Sequence, residues 1–534
     1  MLAVWMTAFG ASLCAQTDGL GVPAIDSGQI RTHLEYLADD RLEGRGTGTP
    51  GFQLAADYVA AQFRRVGLEP AFRGDFFQPL TLRHAEVMLN ETSLVVRRDR
   101  RERRLSFGVD FVSSGDIYRP VVSIVAPVVF VGDGVSAPSI GRDDYAEVNA
   151  RGKIAALVLR AIPGLTPTES AYFGSLDRRI EAAVAHGAIG FLLLSVDEAF
   201  PWARNLQLSS QGLTSVVGPS GTPLEPSRPM ASAVLRYNAS RELFAMASMD
   251  FDGLLSRHRN SPLPSTELPI TVSARIRSKH SRLSSMNVAA VLPGSDPRLR
   301  REFVLFTAHL DHVGRGRAVE GDDIYNGAID NASGVAALLA MAQAAAGRPV
   351  SPPRSLMFLA TAGEEIGMLG AKFFTASPAV PLRDIVAAVN VDGPTLMMTP
   401  VERVNAQGGL NSTLGLVAAE VAAQLKVGVR QTAVPTISDQ GPFVLHGVPA
   451  LWALADPETS RPGVDGPGLA RRFMSEVYHS PKDDLHRAFD YSAAVSMAQF
   501  NLLVGLRVAE APDRPRWNPG DLFGDAASTL NRGP

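Results

Sequence analysis

In this 534-residue chain, two histidines and five carboxylates stand where short apolar runs end or helical patterns begin. The run 302–307 leads into Ala308-His309-Leu310-Asp311-His312, the run 355–361 into Ala-Gly-Glu364-Glu365, and the run 385–391 into Asp392-Gly-Pro. Asp330-Asn-Ala-Ser-Gly334 stands before an Ala/Leu-rich stretch, and Tyr478-His479-Ser-Pro-Lys-Asp-Asp484 adds an imidazole in a polar, turn-like segment. Five acids gathered at one edge repel one another unless positive charge lies among them. No lysine or arginine lies inside the first four motifs; Arg315 and Arg317 come only in the loop that follows His312. A divalent metal answers that need. Mixed imidazole and carboxylate donors suit zinc, with cobalt or manganese as alternatives.

Each motif alone has a plainer reading. His-x-Asp is commonly a surface histidine beside an acid. Glu364-Glu365 at a helix start complements the helix dipole, and Asp330 is a serviceable N-cap. An aspartate closing a buried strand, as Asp392 does, is less usual. All of them in succession make coincidence the poorer account.

The elements that must hold these residues alternate. Strands are expected at 287–292, 302–307, 355–361, 385–391 and 449–454, and helices at 333–346, 414–425 and 492–509. Strands that are apolar throughout, alternating with helices, predict an α/β sheet covered on both faces. Ligands of such sheets bind outside the carboxyl ends of the strands, which is where the acids and histidines stand. Upstream, Ile30, Leu34 and Leu37, then Leu54, Ala55, Tyr58, Val59 and Phe63, recur at helical spacing. The glycine-rich 42–50 between them reads as an inter-helix connection. No strand precedes it and no Gly-Lys-Ser/Thr ends it, so it is not a phosphate loop. From 118 to 249 the texture changes to short β-branched runs (121–131, 153–159, 189–194, 230–235) around one helical pattern at 178–186. This predicts a small mixed-β domain set into the chain, with Pro262 and Pro264 marking its exit. The length alone calls for more than one core.

A formal net charge of −3 gives no electrostatic reason to expect nucleic acid or an anionic membrane as partner. Cys14 is the single cysteine, so no intramolecular disulfide forms. It lies in an apolar, uncharged opening stretch too short to span a bilayer, which reads as an export signal cut near Ala15. The expected location is periplasmic or extracellular. No other segment offers the roughly 18 apolar residues of a membrane helix.

The motifs His309-Leu-Asp311, Gly327-Ala-Ile-Asp330-Asn-Ala-Ser-Gly334, Gly363-Glu364-Glu365-Ile-Gly367, Asn390-Val-Asp392-Gly and Tyr478-His479-Ser-Pro-Lys-Asp-Asp together resemble the co-catalytic di-zinc aminopeptidase family. Glutamate carboxypeptidase, glutaminyl cyclase and the transferrin receptor ectodomain are relatives within it. Leu37-Ala-Asp-Asp-Arg-Leu-Glu-Gly-Arg-Gly, Gly67-Leu-Glu-Pro and Phe77-Gln78 are similar to its N-terminal helices. Val129-Phe-Val-Gly-Asp-Gly, Ala150-Arg-Gly-Lys-Ile and 182–190 resemble, more loosely, its inserted protease-associated domain. The resemblance implies a three-layer αβα sandwich with a mixed, mostly parallel sheet. The corresponding division is an export signal at 1–16, a discontinuous zinc-peptidase domain at 25–118 and 263–510, the insert at 119–262, and a tail at 511–534.

The resemblance also implies roles. His309 and Asp392 would hold one zinc, Glu365 and His479 a second, and Asp330 would bridge the two. Glu364 would be the general base and Asp311 the acid that orients His309. Two zincs about 3.5 to 4 Å apart would share a water and polarise the scissile carbonyl. A carboxylate off the metal would then move the proton to the leaving amine. Ser438 and Asp439, in Ser438-Asp-Gln-Gly-Pro-Phe443, and Tyr478 are candidate substrate contacts. His312, His446 and His486 are given no metal by spacing or family pattern. The charged stretch 315–323 is a loop at the active edge, gating substrates or simply solvated. The expected activity is removal of N-terminal residues from peptides. A carboxypeptidase, a single-zinc glutaminyl cyclase and a receptor-like module without catalysis are the other readings.

Overall fold

The computed structural model describes residues 24–199, 212–224, 231–393, 401–458 and 463–525, together with Trp202, Leu206, Ser209 and Leu396. The expected export signal at 1–16 lies outside the described residues, as does the end of the C-terminal tail. The chain divides into two compact units, one of 81–283 and one of the flanking segments up to 80 and from 284.

In the flanking unit the strands Ser355–Thr361, Phe303–His309, Ile385–Asn390 and Ala450–Ala455 lie side by side and parallel. The end of the long Thr266–Leu292 strand adds antiparallel at one side. Arg403–Gln407 and Gly428–Thr432 extend the other, the first of them antiparallel. The sheet is thus mixed and mostly parallel. Every residue of the 355–361 and 385–390 strands is buried, as strands covered on both faces require. Against one face pack Ser27–Leu37, Pro50–Arg65, Ser333–Ala346, Leu414–Leu425 and Tyr491–Glu510, sharing a core with Val304, Phe306, Phe358, Ala387 and Val389. On the other face, Leu369–Ala376 meets Gln440–Leu445 through Phe374 and Phe443. The architecture is the expected αβα sandwich.

The chain leaves the Phe303–His309 strand for the neighbour on one side, Ser355–Thr361, and next for the neighbour on the other, Ile385–Asn390. Strand order reverses there, and such a reversal opens a crevice at the carboxyl ends. His309 closes the strand at that point.

Two expectations need revision. The Tyr491–Glu510 helix has the length and mean hydropathy of a membrane span, although no span was anticipated after the opening stretch. Here 83% of its apolar window is buried within the protein, the situation of a core helix. The charged stretch 315–323 is not a loop but a hairpin, Gly314–Val319 against Asp322–Tyr325.

The 81–283 unit is built on a sheet in the order 101–105, 93–98, 266–277, 121–130, 154–159, 190–195, 231–235, 111–112. Parallel pairing holds only from 121–130 through 231–235. Its limits differ from the expected 119–262, because the Ser93–Arg98 and Arg101–Leu105 strands and the first half of Thr266–Leu292 pair into the same sheet. Pro262 and Pro264 precede the unit's longest strand instead of closing the unit. Helices at Pro167–Phe173, Tyr237–Met246 and Phe251–Arg257 join the anticipated one, which is observed at Leu176–Ala185.

Candidate metal centre

Three strand ends, the segment ahead of the Ser333–Ala346 helix and the polar turn at 478–484 bring their acids and histidines together. His309 Nε2 lies 3.2 Å from Asp330 Oδ1 and 3.4 Å from Asp392 Oδ1. His479 Nε2 lies 3.2 Å from Asp330 Oδ2 and 2.8 Å from Glu365 Oε2. Asp330 therefore faces both groups, one oxygen to each. Donors about 2.0–2.1 Å from a tetrahedral zinc stand about 3.3 Å from one another, which is the scale of these separations.

Two donor groups result. One ligand atom each from His309, Asp330 and Asp392 lie within 4.8 Å of one another, and so do atoms from Asp330, Glu365, His479 and, unexpectedly, His312. Glu364 belongs to neither group. The adjacent glutamates thus divide, Glu365 among the donors and Glu364 outside them.

Asp330 Oδ2, Glu365 Oε1, His479 Nε2 and both ring nitrogens of His312 are buried without a hydrogen-bond partner. Leaving several polar atoms unmade in one buried cluster is costly. A bound cation satisfies them together, and the donor chemistry fits zinc.

Titration behaviour supports the same need. Burial alone would strip His479 of its proton, but the adjoining carboxylates of Asp330 and Glu365 lift its pKa to about 9. Burial likewise acts against protonated His309, yet Asp392, Glu364 and Asp330 hold its pKa well above the ordinary value. Burial pushes Glu365 up, as does Asp330, but His312 and His479 bring it down to about 2. The imidazoles are proton-hungry because of the acids around them, and a cation would release those protons. Glu364 behaves oppositely. Burial first, then the charges of Asp392, Glu365 and Asp439, raise its pKa well above the usual carboxylate value.

The supports around these residues come from further afield. Asp311 was expected to orient His309 through its carboxylate. Instead, His309 Nδ1 is 3.1 Å from the Asp311 main-chain oxygen and 4.0 Å from the carboxylate. That carboxylate is committed elsewhere, accepting from Glu364 N at 3.1 Å and Thr47 Oγ1 at 3.0 Å. It positions the strand-end loop carrying the two glutamates. Ser438 and Asp439 are buried behind the site. Ser438 Oγ donates to Asp392 Oδ2 at 2.7 Å, and Asp439 bonds Thr361. Their side chains face the ligand shell and the sheet. Tyr478 stacks on His479, with ring centroids 3.8 Å apart. His479 itself has φ 53°, a left-handed conformation that histidine adopts more readily than most residues.

Three contributors were not singled out by the sequence. Asp483 accepts from the backbone N–H groups of Ile329 and Asp330, fixing the main chain at the acid that faces both groups. Arg45, in the glycine-rich segment taken as a plain connection, is fully buried and donates to the carbonyls of Leu37, Leu310, Asn326 and Gly327. Leu310 follows His309 and Gly327 precedes Asp330, so one guanidinium ties two ligand-bearing loops together. Gly44, beside it at φ 69°, has no room for a Cβ, which would stand 2.3 Å from the Tyr325 oxygen. His312 is the third. His-Leu-Asp-His was visible as a motif, but nothing in its spacing showed which way the second ring turns.

A sheet with a switch point, covered by helices and ending in two histidine–carboxylate groups around a shared aspartate, defines a metal-dependent hydrolase of the α/β type. Residues 287–504 match the family model of peptidase family M28. Among solved structures, an aminopeptidase from Aneurinibacillus sp. strain AM-1 is similar over 93% of this chain and 96% of that one, at 17% identity and a TM-score of 0.52, which shows the shared fold. A zinc aminopeptidase from Bacillus subtilis aligns over 91% and 95% of the two chains, at 16% identity and a TM-score of 0.45. A peptidase M28 precursor from Shewanella amazonensis aligns over 92% and 100%, at 18% identity and a TM-score of 0.46. A search of curated protein sequences gives no match.

Proposed function

We propose that the chain is a two-zinc aminopeptidase that removes N-terminal residues from peptides. The observation that carries this reading is Asp330, whose two oxygens face two separate histidine groups at 3.2 Å each. His309 and Asp392 would hold one zinc, Glu365 and His479 the other, and Asp330 would join them. When bound, such a pair polarises the scissile carbonyl and lowers the pKa of water. The protein's own part is proton transfer and positioning. The Glu364 carboxylate, outside both donor groups, takes the proton of the attacking water and passes it to the departing amine nitrogen. Asp311 fixes the Glu364 main chain through its N–H, and Ser438 holds Asp392 in line. The acidic edge favours a substrate's ammonium end over its carboxylate. In the same reading the 81–283 unit is the protease-associated insert.

The test is Glu364→Ala on purified protein. Zinc content is expected to stay at two per chain while hydrolysis of aminoacyl-nitroanilides falls by about 10² to 10⁴. Cleavage confined to peptides with blocked N-termini and free carboxyl ends would make the chain a carboxypeptidase. One zinc per chain without peptide hydrolysis would instead favour a cyclase.

A further inference from the structure

We propose that His312 Nδ1 is a fourth protein ligand of the cation position made by Asp330, Glu365 and His479, so that this position is closed while that of His309, Asp330 and Asp392 stays open. The inference rests on the two-zinc reading and adds to it a difference between the two zincs.

His312 is wholly buried at its side chain, and neither ring nitrogen has a hydrogen-bond partner. Nδ1 lies 2.7 Å from Glu365 Oε1 and 3.9 Å from Asp330 Oδ2. At 2.7 Å a nitrogen and a carboxylate oxygen would ordinarily share a proton in line. Here neither atom is hydrogen-bonded, so the two are aimed past each other. Ligands of one ion have that relation, because their lone pairs converge on a third point. His479 Nε2 shows the same signature: unpartnered, and 2.8 Å from the other oxygen of Glu365. The two rings stand edge to face, 5.5 Å apart and inclined by 69°, approaching the acids from different directions.

The surroundings make room for this ring. Gly327 has φ 59°, and a Cβ there would come within 2.4 Å of the His312 ring. The His312 N–H bonds the Arg45 oxygen, which fixes the backbone from which the ring projects. Four protein donors in a tetrahedron are the arrangement of zinc held for keeps, whereas three with an open position are the arrangement of zinc that meets substrate. The closed position should therefore fill first and exchange slowly. The other should take the second ion and face the peptide.

The test begins with protein stripped of metal by a chelator and titrated with zinc against a chromophoric competitor. Two steps are expected, and X-ray absorption at one equivalent should report two imidazoles on the zinc. One imidazole at that point overturns the proposal without any variant being made. His312→Gln should weaken the first step by at least about 100-fold and leave the second in place. Asp392→Asn should do the reverse. An unchanged first step in His312→Gln also overturns the proposal, leaving the two-zinc reading intact. Wild-type protein that binds fewer than two zincs would instead overturn that reading.

Discussion

The two units meet the same physical problem, a carboxylate out of water, in opposite ways. In the 81–283 unit, Asp133 is wholly buried and takes Arg142 at 2.7 Å and Arg160 at 2.6 Å. The arginines also donate to the oxygens of Pro163, His258 and Ser261, and Arg142 Nε to the Asp144 carboxylate. At the strand ends of the other unit stand Asp311, Asp330, Glu364, Glu365 and Asp392. Among the described residues, no lysine or arginine forms an ion pair with any of them. Arg45 is close enough to be felt electrostatically, yet all its hydrogen bonds go to main-chain oxygens. A buried acid already paired with arginine is finished structure. Buried acids paired only with imidazoles are a receptor for a cation, and that contrast separates scaffold from site without reference to any relative.

Chelation should separate the units most strongly. An ion held by the folded state alone stabilises it by about 4 kcal/mol at a thousandfold excess over its dissociation constant. Amide exchange with and without chelator should show protection lost around 303–309 and 328–346, with 121–130 and 154–159 unaffected. Equal loss in both units would erase the distinction. Asp133→Asn is the reciprocal perturbation. Removing one member of a buried ion network leaves the others uncompensated and commonly costs about 3 kcal/mol or more. Denaturant unfolding of this variant should show a destabilised 81–283 unit, while zinc content stays at the wild-type value.

His33 provides a third case. It is buried, and among the described residues no acid forms an ion pair with it; its Nδ1 is 2.8 Å from the Tyr58 hydroxyl. Burial, assisted by Arg65, drives its pKa down from 6.5 to about 4, whereas His479 among acids rises to about 9. The unfolded chain therefore binds the proton more readily than the folded one between pH 6.5 and 4. The stability owed to neutral His33 is complete above pH 6.5 and drains away as the pH falls towards 4. The full difference is about 3 kcal/mol, and about 2 kcal/mol is gone by pH 5. His33→Gln should flatten that part of the stability–pH curve; a slope equal to wild type would mean that another group carries it.

How much of this was legible beforehand follows from the range of the forces involved. The strands at 355–361 and 385–390 and the helices at 333–346 and 414–425 were readable because apolar periodicity is local. That His309, Glu365 and Asp392 would gather at one edge was readable because strand ends converge by topology. Limits of the 81–283 unit were not, since strand pairing reaches across the chain: 93–98 joins 271–275 across more than 170 residues. Nor was His312, one position past Asp311, whose direction depends on the space left by Gly327. Arg45 was the least legible. A glycine-rich segment between two helices carries no periodic signal, and a buried arginine bonded only to carbonyls leaves no charge partner in the sequence to find.

Arg45→Lys sharpens the comparison on its finest point, because it keeps the charge and removes the fork. If Arg45 served only to offset the acids, lysine would serve nearly as well. The geometry argues otherwise: three guanidinium nitrogens reach four carbonyls from three separate segments, and an ammonium on a flexible stem cannot reproduce that spread. The loops after His309 and before Asp330 would then be held less firmly. Zinc affinity should fall by about tenfold, at the lower end of what losing a support behind the ligands costs. Competition titration measures this directly, with far-UV dichroism confirming the fold. Wild-type affinity in Arg45→Lys, paired with weakened binding in Arg45→Met, would return the residue to the class Asp133 and its arginines define, where charge and not shape decides.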